Sequence, residues 1–203
     1  MNRTRTLAIL IFDEVEVLDF CGPFEVFSVA NHFTDTPAFK VQTVAEKPEP
    51  ISTRGGLRVN PHLRLADCSQ PDLLLVPGGY GTRKEMNNPA IIDWIKQASA
   101  NAELMLSVCT GALVLAKAGL LDGLEATTHH EVVEFLRQTA PKTTVHAGRR
   151  FVDNGRAICS AGITAGIDMS LHVVGRLLGK EVAAKTANYM EYPWKSESET
   201  TGV

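Results

Sequence analysis

Cys109 is the residue of this chain best placed to act as a nucleophile. It lies in Ser107-Val-Cys109-Thr110-Gly111, between an apolar run of strand length, Leu104 to Val108, and an Ala/Leu-rich helix predicted over Ala112 to Leu121. A continuous apolar run of that length marks a strand buried on both faces. A strand that turns into a helix within three residues holds the turn side chain at the carboxyl edge of its sheet. The spacing is that of the G-x-S-x-G nucleophile elbow, with Cys in place of Ser and Ser107 in place of the first Gly. The sulfur would then face a helix N-terminus, where free N–H groups and the macrodipole favour a thiolate. A thiol pKa below the free value of about 8.5 is the expectation. The other role open to such a residue is that of a buried core cysteine; the elbow context favours chemistry.

Two further stretches could serve this sulfur. In Val76-Pro-Gly78-Gly79-Tyr80-Gly81 the glycines permit a tight turn, and beside an elbow they also expose backbone donors. Gly79 N–H and Thr110 N–H are the predicted donors to developing negative charge, with Gly78 and Tyr80 beside them. The stretch lacks the G-x-x-x-x-G-K-[ST] of a phosphate loop. Asp19, in Val17-Leu-Asp19-Phe-Cys21, is either a helix N-cap or an acid facing Cys109. In the second case two anions in a poorly hydrated pocket are unfavourable, so a thiolate requires a protonated Asp19 able to shuttle its proton.

His129 and His130 are candidate bases, although adjacent histidines point in different directions. Thr110, not His, follows Cys109, which weakens a Cys-His protease reading. Asp168 falls in the first turn of its helix, a favourable place for any carboxylate. Cys21, Cys68 and Cys159 read as packing residues.

The elements that must position these groups alternate. Strands are predicted over Leu7–Phe12, Phe39–Ala45, Leu73–Val76 and Leu104–Val108, and helices over Phe20–Phe33, Pro89–Ala100, Ser160–Leu178 and Glu181–Glu191. The helix at 89–100 is amphipathic, with Ile92, Ile95 and Trp94 supplying its bulk. Hairpins are expected around Gly55-Gly56 and Asp153-Asn154-Gly155. The pattern predicts an α/β doubly wound domain with a largely parallel sheet, helices on both faces and a small β-hairpin insertion. Ligands of such sheets sit at the carboxyl ends of the strands. Asp13–Asp19, Gly78–Gly81 and Cys109 all fall at such ends, so three unconnected motifs are expected in one pocket. With 203 residues, one domain over 1–203 is expected, with a polar, frayed tail at 195–203.

A net charge of −3 gives no reason to expect nucleic acid or an anionic membrane as partner. The first apolar run is too short for a signal-peptide core, and none is long enough to span a bilayer. The four cysteines are scattered without C-x-x-C or zinc spacing. The expectation is a cytoplasmic protein with reduced thiols and no metal.

Phe12-Asp-Glu-Val-Glu-Val-Leu-Asp19-Phe-Cys-Gly22-Pro23-Phe-Glu-Val, Val76-Pro-Gly-Gly-Tyr-Gly81, Ser107-Val-Cys-Thr-Gly-Ala112, Ala126-Thr-Thr-His129 and Gly162-Ile-Thr-Ala-Gly-Ile-Asp168 together resemble the ThiJ/PfpI superfamily, related to class I glutamine amidotransferases. The resemblance runs from Leu7 to about Tyr192 and implies their flavodoxin-like fold. Within the superfamily, Asp19 with Cys109-Thr110 and the run from Gly162 to Asp168 are most similar to the isonitrile hydratases; PfpI-type peptidases place a His after the nucleophile. That similarity implies a homodimer acting on a small molecule without organic cofactor or metal. Cys109 would attack the terminal isonitrile carbon to form a thioimidate, Asp19 and the Thr110 hydroxyl would handle proton and water, and Gly79 would supply a backbone donor. Tyr80 and His130 depart from that pattern and would reshape the pocket. The chain also resembles the ligand-sensing domains of AraC-type regulators, here without their helix-turn-helix pair. A glyoxalase-like or oxidation-sensing member using Cys109 is the third reading.

Overall fold

In the computed structural model, residues 3–194 are described; the tail predicted at 195–203 lies outside them. The strands are β1 (Arg5–Leu10), β2 (Phe39–Ala45), β3 (Ile51–Ser52), β4 (Arg58–Val59), β5 (Leu63–Arg64), β6 (Leu73–Val76), β7 (Leu104–Val108), β8 (Glu125–Ala126), β9 (Thr144–Val145), β10 (Phe151–Asp153) and β11 (Ala157–Ser160). The helices are α1 (Val17–Ala30), α2 (Thr82–Glu85), α3 (Pro89–Ala100), α4 (Gly111–Lys117), α5 (Val133–Thr139), α6 (Ala165–Leu178) and α7 (Lys180–Tyr189).

A seven-stranded sheet runs in the order β10-β11-β7-β6-β1-β2-β5, and every pairing in it is parallel except β10 with β11. Its central strands are the continuous apolar runs. Leu73 to Val76 and Leu7 to Leu10 are all buried, because helices cover both faces of a parallel sheet. After β1 the chain crosses to β2 on one side, and later to β6 on the other. The β1/β6 boundary is thus the point where the winding reverses and a crevice opens above the carboxyl ends.

Several expectations are refined. Helix α1 begins at Val17, three residues before the predicted start, with Glu16 at its N-cap. Pro23 is accommodated inside its second turn. The 89–100 helix has the predicted bounds, with Asn88 accepting Ala90 N–H as its cap, but Ile91 and Ile95 form its buried stripe while Ile92 and Trp94 are only partly covered. Helix α4 stops at Lys117, four residues early, followed by a turn containing Gly119. Of the two hairpins, β3-β4 is a separate two-stranded ribbon, whereas β10-β11 joins the main sheet as its edge.

Candidate active site

The elbow is formed as its spacing predicts, and it is strained. Cys109 has φ 56°, a left-handed conformation uncommon for a residue with a side chain, at a cost of order 1–3 kcal/mol. The conformation is held from both sides. Cys109 N–H is shared between the carbonyls of Ser160 and Ala161, each at 3.2 Å, and its own carbonyl accepts Thr128 Oγ1 at 2.7 Å. Two residues on, position 111 must be glycine, since a Cβ on Gly111 would stand 2.0 Å from the Val76 carbonyl oxygen. Helix α4 is thereby pressed onto the end of β6.

Asp19 meets this elbow from α1. Its early helix start places Asp19 inside the first turn, not at the cap, and its side chain turns inward, fully buried. Oδ2 accepts Gly78 N–H and Oδ1 accepts Ile163 N–H, both at 3.0 Å. The carboxyl also lies beside Cys109, close enough that each group shifts the titration of the other. Gly78 lies between the two: a Cβ there would stand 2.7 Å from each of Asp19 Oδ2, Cys109 Cβ and Thr110 N. Three chain-distant segments therefore touch at one glycine.

The glycine turn is strapped to the β1–α1 loop by a bridge between Val15 and Gly79 and by Glu16 N–H to the Gly78 carbonyl at 2.9 Å. This use of the backbone corrects two expectations. Gly79 N–H is not free for a substrate; it donates to Thr110 Oγ1 at 3.0 Å, and that hydroxyl faces the Gly79 carbonyl at 3.1 Å and Thr82 Oγ1 at 3.0 Å. Gly78 N–H is likewise committed to Asp19, and Gly78 is not among the residues that line the cavity. Thr110 N–H lies beside the Cys109 sulfur and lowers the thiol pKa. The Thr110 hydroxyl locks the turn.

Above the sulfur opens a cavity of about 380 Å³. Cys109, Thr110, Gly79 and Ile163 form its inner lining, with Tyr80, His129 and His130 around the opening. The His129 ring packs on Gly162, lies tilted against His130 with ring centroids 4.3 Å apart, and caps the following turn by accepting Glu131 N–H at 3.3 Å.

A model of the DJ-1/PfpI family matches residues 5–176. The chain belongs to the DJ-1/PfpI family. It is 34% identical over 189 residues to isonitrile hydratase of Pseudomonas putida, covering 92% of this chain and 78% of that protein. It is 29% identical over 178 residues to the transcriptional regulator CdhR of Pseudomonas aeruginosa, covering 88% of this chain but 52% of the regulator, so it spans about half that relative's length. Among solved structures it superposes on a ThiJ/PfpI family protein from Pseudomonas syringae with TM-score 0.86 and 26% identity, over 98% of this chain and 80% of that one. Drosophila melanogaster DJ-1beta shares the fold at TM-score 0.82 and 18% identity, over 95% of this chain and 100% of that one.

The electrostatics of this DJ-1/PfpI site differ from the expectation for an isolated elbow. Burial raises the Asp19 carboxyl from 3.8 to about 7, against the lowering effect of the Gly78 N–H and of the adjacent Cys109 thiol. Burial also pushes the Cys109 thiol up, and the Asp19 charge pushes it further, outweighing the Thr110 N–H. The predicted depressed thiol pKa is therefore overturned: at a point where Asp19 is ionised, the sulfur keeps its proton and the carboxylate is its acceptor. Burial, then the neighbouring His130, lowers His129 below the ordinary imidazole range, which favours the neutral ring.

Ile163, Arg54, Arg83, Glu16 and Glu131 also face the cavity or its acid, and none of them is marked as a site residue by the sequence motifs. Ile163 has φ 56°, a severe outlier for a β-branched residue, and the conformation aims its N–H at Asp19. The one sequence signal for it was its place after Gly162. Asp168, by contrast, is tied to Arg150 and Tyr192 and plays the structural part expected of it.

Proposed function

We propose that this chain hydrates an isonitrile to an N-substituted formamide. The observation that carries the reading is the buried Asp19–Cys109 contact on a strained elbow, in a chain 34% identical to an isonitrile hydratase.

Ionised Asp19 takes the thiol proton as Cys109 Sγ attacks the terminal carbon of R–N≡C. The same proton is returned to that carbon, giving the thioformimidate R–N=CH–S–Cys109. Water then adds across the C=N bond with its proton passing through Asp19. The tetrahedral adduct expels Cys109 sulfur and leaves R–NH–CHO, so that isonitrile plus water yields formamide with the enzyme regenerated. Thr110 N–H stabilises charge on the sulfur during attack and departure, while the Thr110 hydroxyl and Gly79 keep the turn in register. Tyr80 and His129 border the space left for R. The chemistry uses side chains and water alone, and a homodimer is the assembly this reading carries with it.

Formamide formation from a supplied isonitrile tests the reading. It should be abolished in Cys109→Ala and fall at least about a hundredfold in Asp19→Ala. Absence of formamide from any isonitrile sinks it. The relation to CdhR supports a second reading, a ligand-sensing domain without turnover. That reading requires saturable binding of a small molecule that survives Cys109→Ala.

A further inference from the structure

Arg54 and Arg83 converge on one aromatic ring at the mouth of the nucleophile cavity. Their guanidinium carbons lie 5.4 and 4.5 Å from the Tyr80 ring centroid. Tyr80 is 58% exposed, and both arginines are exposed beside it. Among the described residues neither guanidinium has a carboxylate within 4.0 Å, although most other arginines of the fold are so paired. The arginines come from different segments, one following the β3 strand and one in α2, so no local helix pattern explains the pairing. Two like charges gathered on one ring repel each other, and the ring attracts both without neutralising them.

The remaining charges of the cavity lie elsewhere on its rim. Glu131 is paired with His129, with Oε2 3.9 Å from Nδ1, and Glu16 stands at the N-cap position of α1 without a side-chain capping bond. Neither carboxylate lies within 4.0 Å of the Arg54 or Arg83 guanidinium, so both cations stay unneutralised at the opening.

We propose that Arg54 and Arg83, on the Tyr80 ring, bind the anionic group of the ligand, so that the natural substrate is an organic carboxylate carrying its reactive carbon at the other end. The substrate's charged end meets two planar forks suited to a carboxylate, while its neutral end reaches the sulfur. The carboxylate clamp requires only a ligand directed at Cys109; its extension to a carboxylated isonitrile rests on the function proposed above.

The experiment compares two alkylating agents at the same sulfur. Iodoacetate carries a carboxylate and iodoacetamide is its neutral isostere, so the ratio of their rates at Cys109 reports the field at the cavity mouth. The ratio should fall roughly three- to tenfold in Arg54→Gln/Arg83→Gln, and remain at the wild-type value in Arg58→Gln, a neighbouring arginine outside the cavity. Raising the salt concentration should lower the wild-type ratio toward that of the double variant. An unchanged ratio in the double variant, or a wild-type ratio indifferent to salt, overturns the proposal. The substrate extension is read from kcat/KM for an isonitrile carboxylate against its methyl ester, which should favour the acid in wild type and lose that preference in the double variant. A falling alkylation ratio with no isonitrile turned over would retain the clamp and reject the hydratase.

Discussion

Asp19→Asn separates a buried, proton-holding carboxyl from an ordinary one. In the fold the Asp19 pKa is raised from 3.8 to about 7, chiefly by burial. Between these values the folded protein holds a proton that the unfolded chain has released. Stability therefore falls as pH rises through this window and is level above it. At about 1.4 kcal/mol per pKa unit, a shift of some three units amounts to about 4 kcal/mol across the window. Asn cannot ionise and lacks this slope. Its amide does present a donor to either Gly78 N–H or Ile163 N–H, each of which needs an acceptor at 3.0 Å. That loss costs about 1–3 kcal/mol, and at every pH alike. The diagnostic quantity is thus the change in the wild-type/variant gap, in which all other titrating groups cancel. Urea unfolding from about pH 4 to about pH 8 should show the variant gaining on wild type up to about pH 7, then holding level. Parallel curves over that range would refute the inference that Asp19 titrates near neutrality in the fold.

The other predictions concern the elbow. The alkylation rate of Cys109 should show a thiol midpoint above the free value of about 8.5, and Asp19→Asn should move the midpoint down, because the carboxylate charge that opposes the thiolate is gone; a wild-type midpoint below the free value contradicts the assignment. Thr110→Val leaves the buried Gly79 N–H without its acceptor and should cost about 1–3 kcal/mol in urea unfolding, with Thr110→Ser restoring most of it. At position 109 the usual order of Ala over Gly should invert, Cys109→Gly being more stable than Cys109→Ala by about 1 kcal/mol, since both lose the sulfur but only Ala retains the left-handed strain. The ordinary order at that position would show an unstrained elbow.

What could be read from the chain was whatever depends on local pattern. The apolar runs at Leu73–Val76 and Leu104–Val108, the Asn88-Pro89 helix start and both Gly-centred hairpins carry their own punctuation, and the α/β arrangement follows from their alternation. The meeting of Asp19, Gly78 and Cys109 was accessible as well, because parallel sheets gather strand ends on one edge. Electrostatic state was not. A helix N-terminus suggested a lowered thiol pKa, whereas burial and a carboxyl in contact reverse the sign, and both depend on packing between segments some ninety residues apart. The donors were misassigned for a related reason: sequence shows that Gly78 and Gly79 can expose N–H groups but not that Asp19 and Thr110 already occupy them. Ile163 lies in the run from Gly162 to Asp168 but nothing in its side chain marks it as a site residue, the two arginines carry no motif of their own, and only the fold brings all three to the cavity.

The departures from local good sense gather at one place. Cys109 and Ile163 both hold left-handed conformations, and the fully buried Asp19 sits between the Gly78 and Ile163 amides. Each would be unfavourable alone, by about 1–3 kcal/mol for a strained backbone position and by the desolvation of a carboxylate for the acid. Together they compensate. The strained Ile163 backbone supplies an amide that Asp19 needs, and the strained Cys109 backbone turns the sulfur toward the proton that Asp19 manages. Such mutual dependence is expected where residues are held for chemistry, because a purely structural core would relax each conflict separately. The winding reversal between β1 and β6 makes it possible, since it brings α1, the glycine turn and the elbow together above adjacent strand ends while the sheet below stays regular. The cluster thus rests on β1, β6 and β7, whose closely packed, buried strands fix the level at which the sulfur and the acid meet.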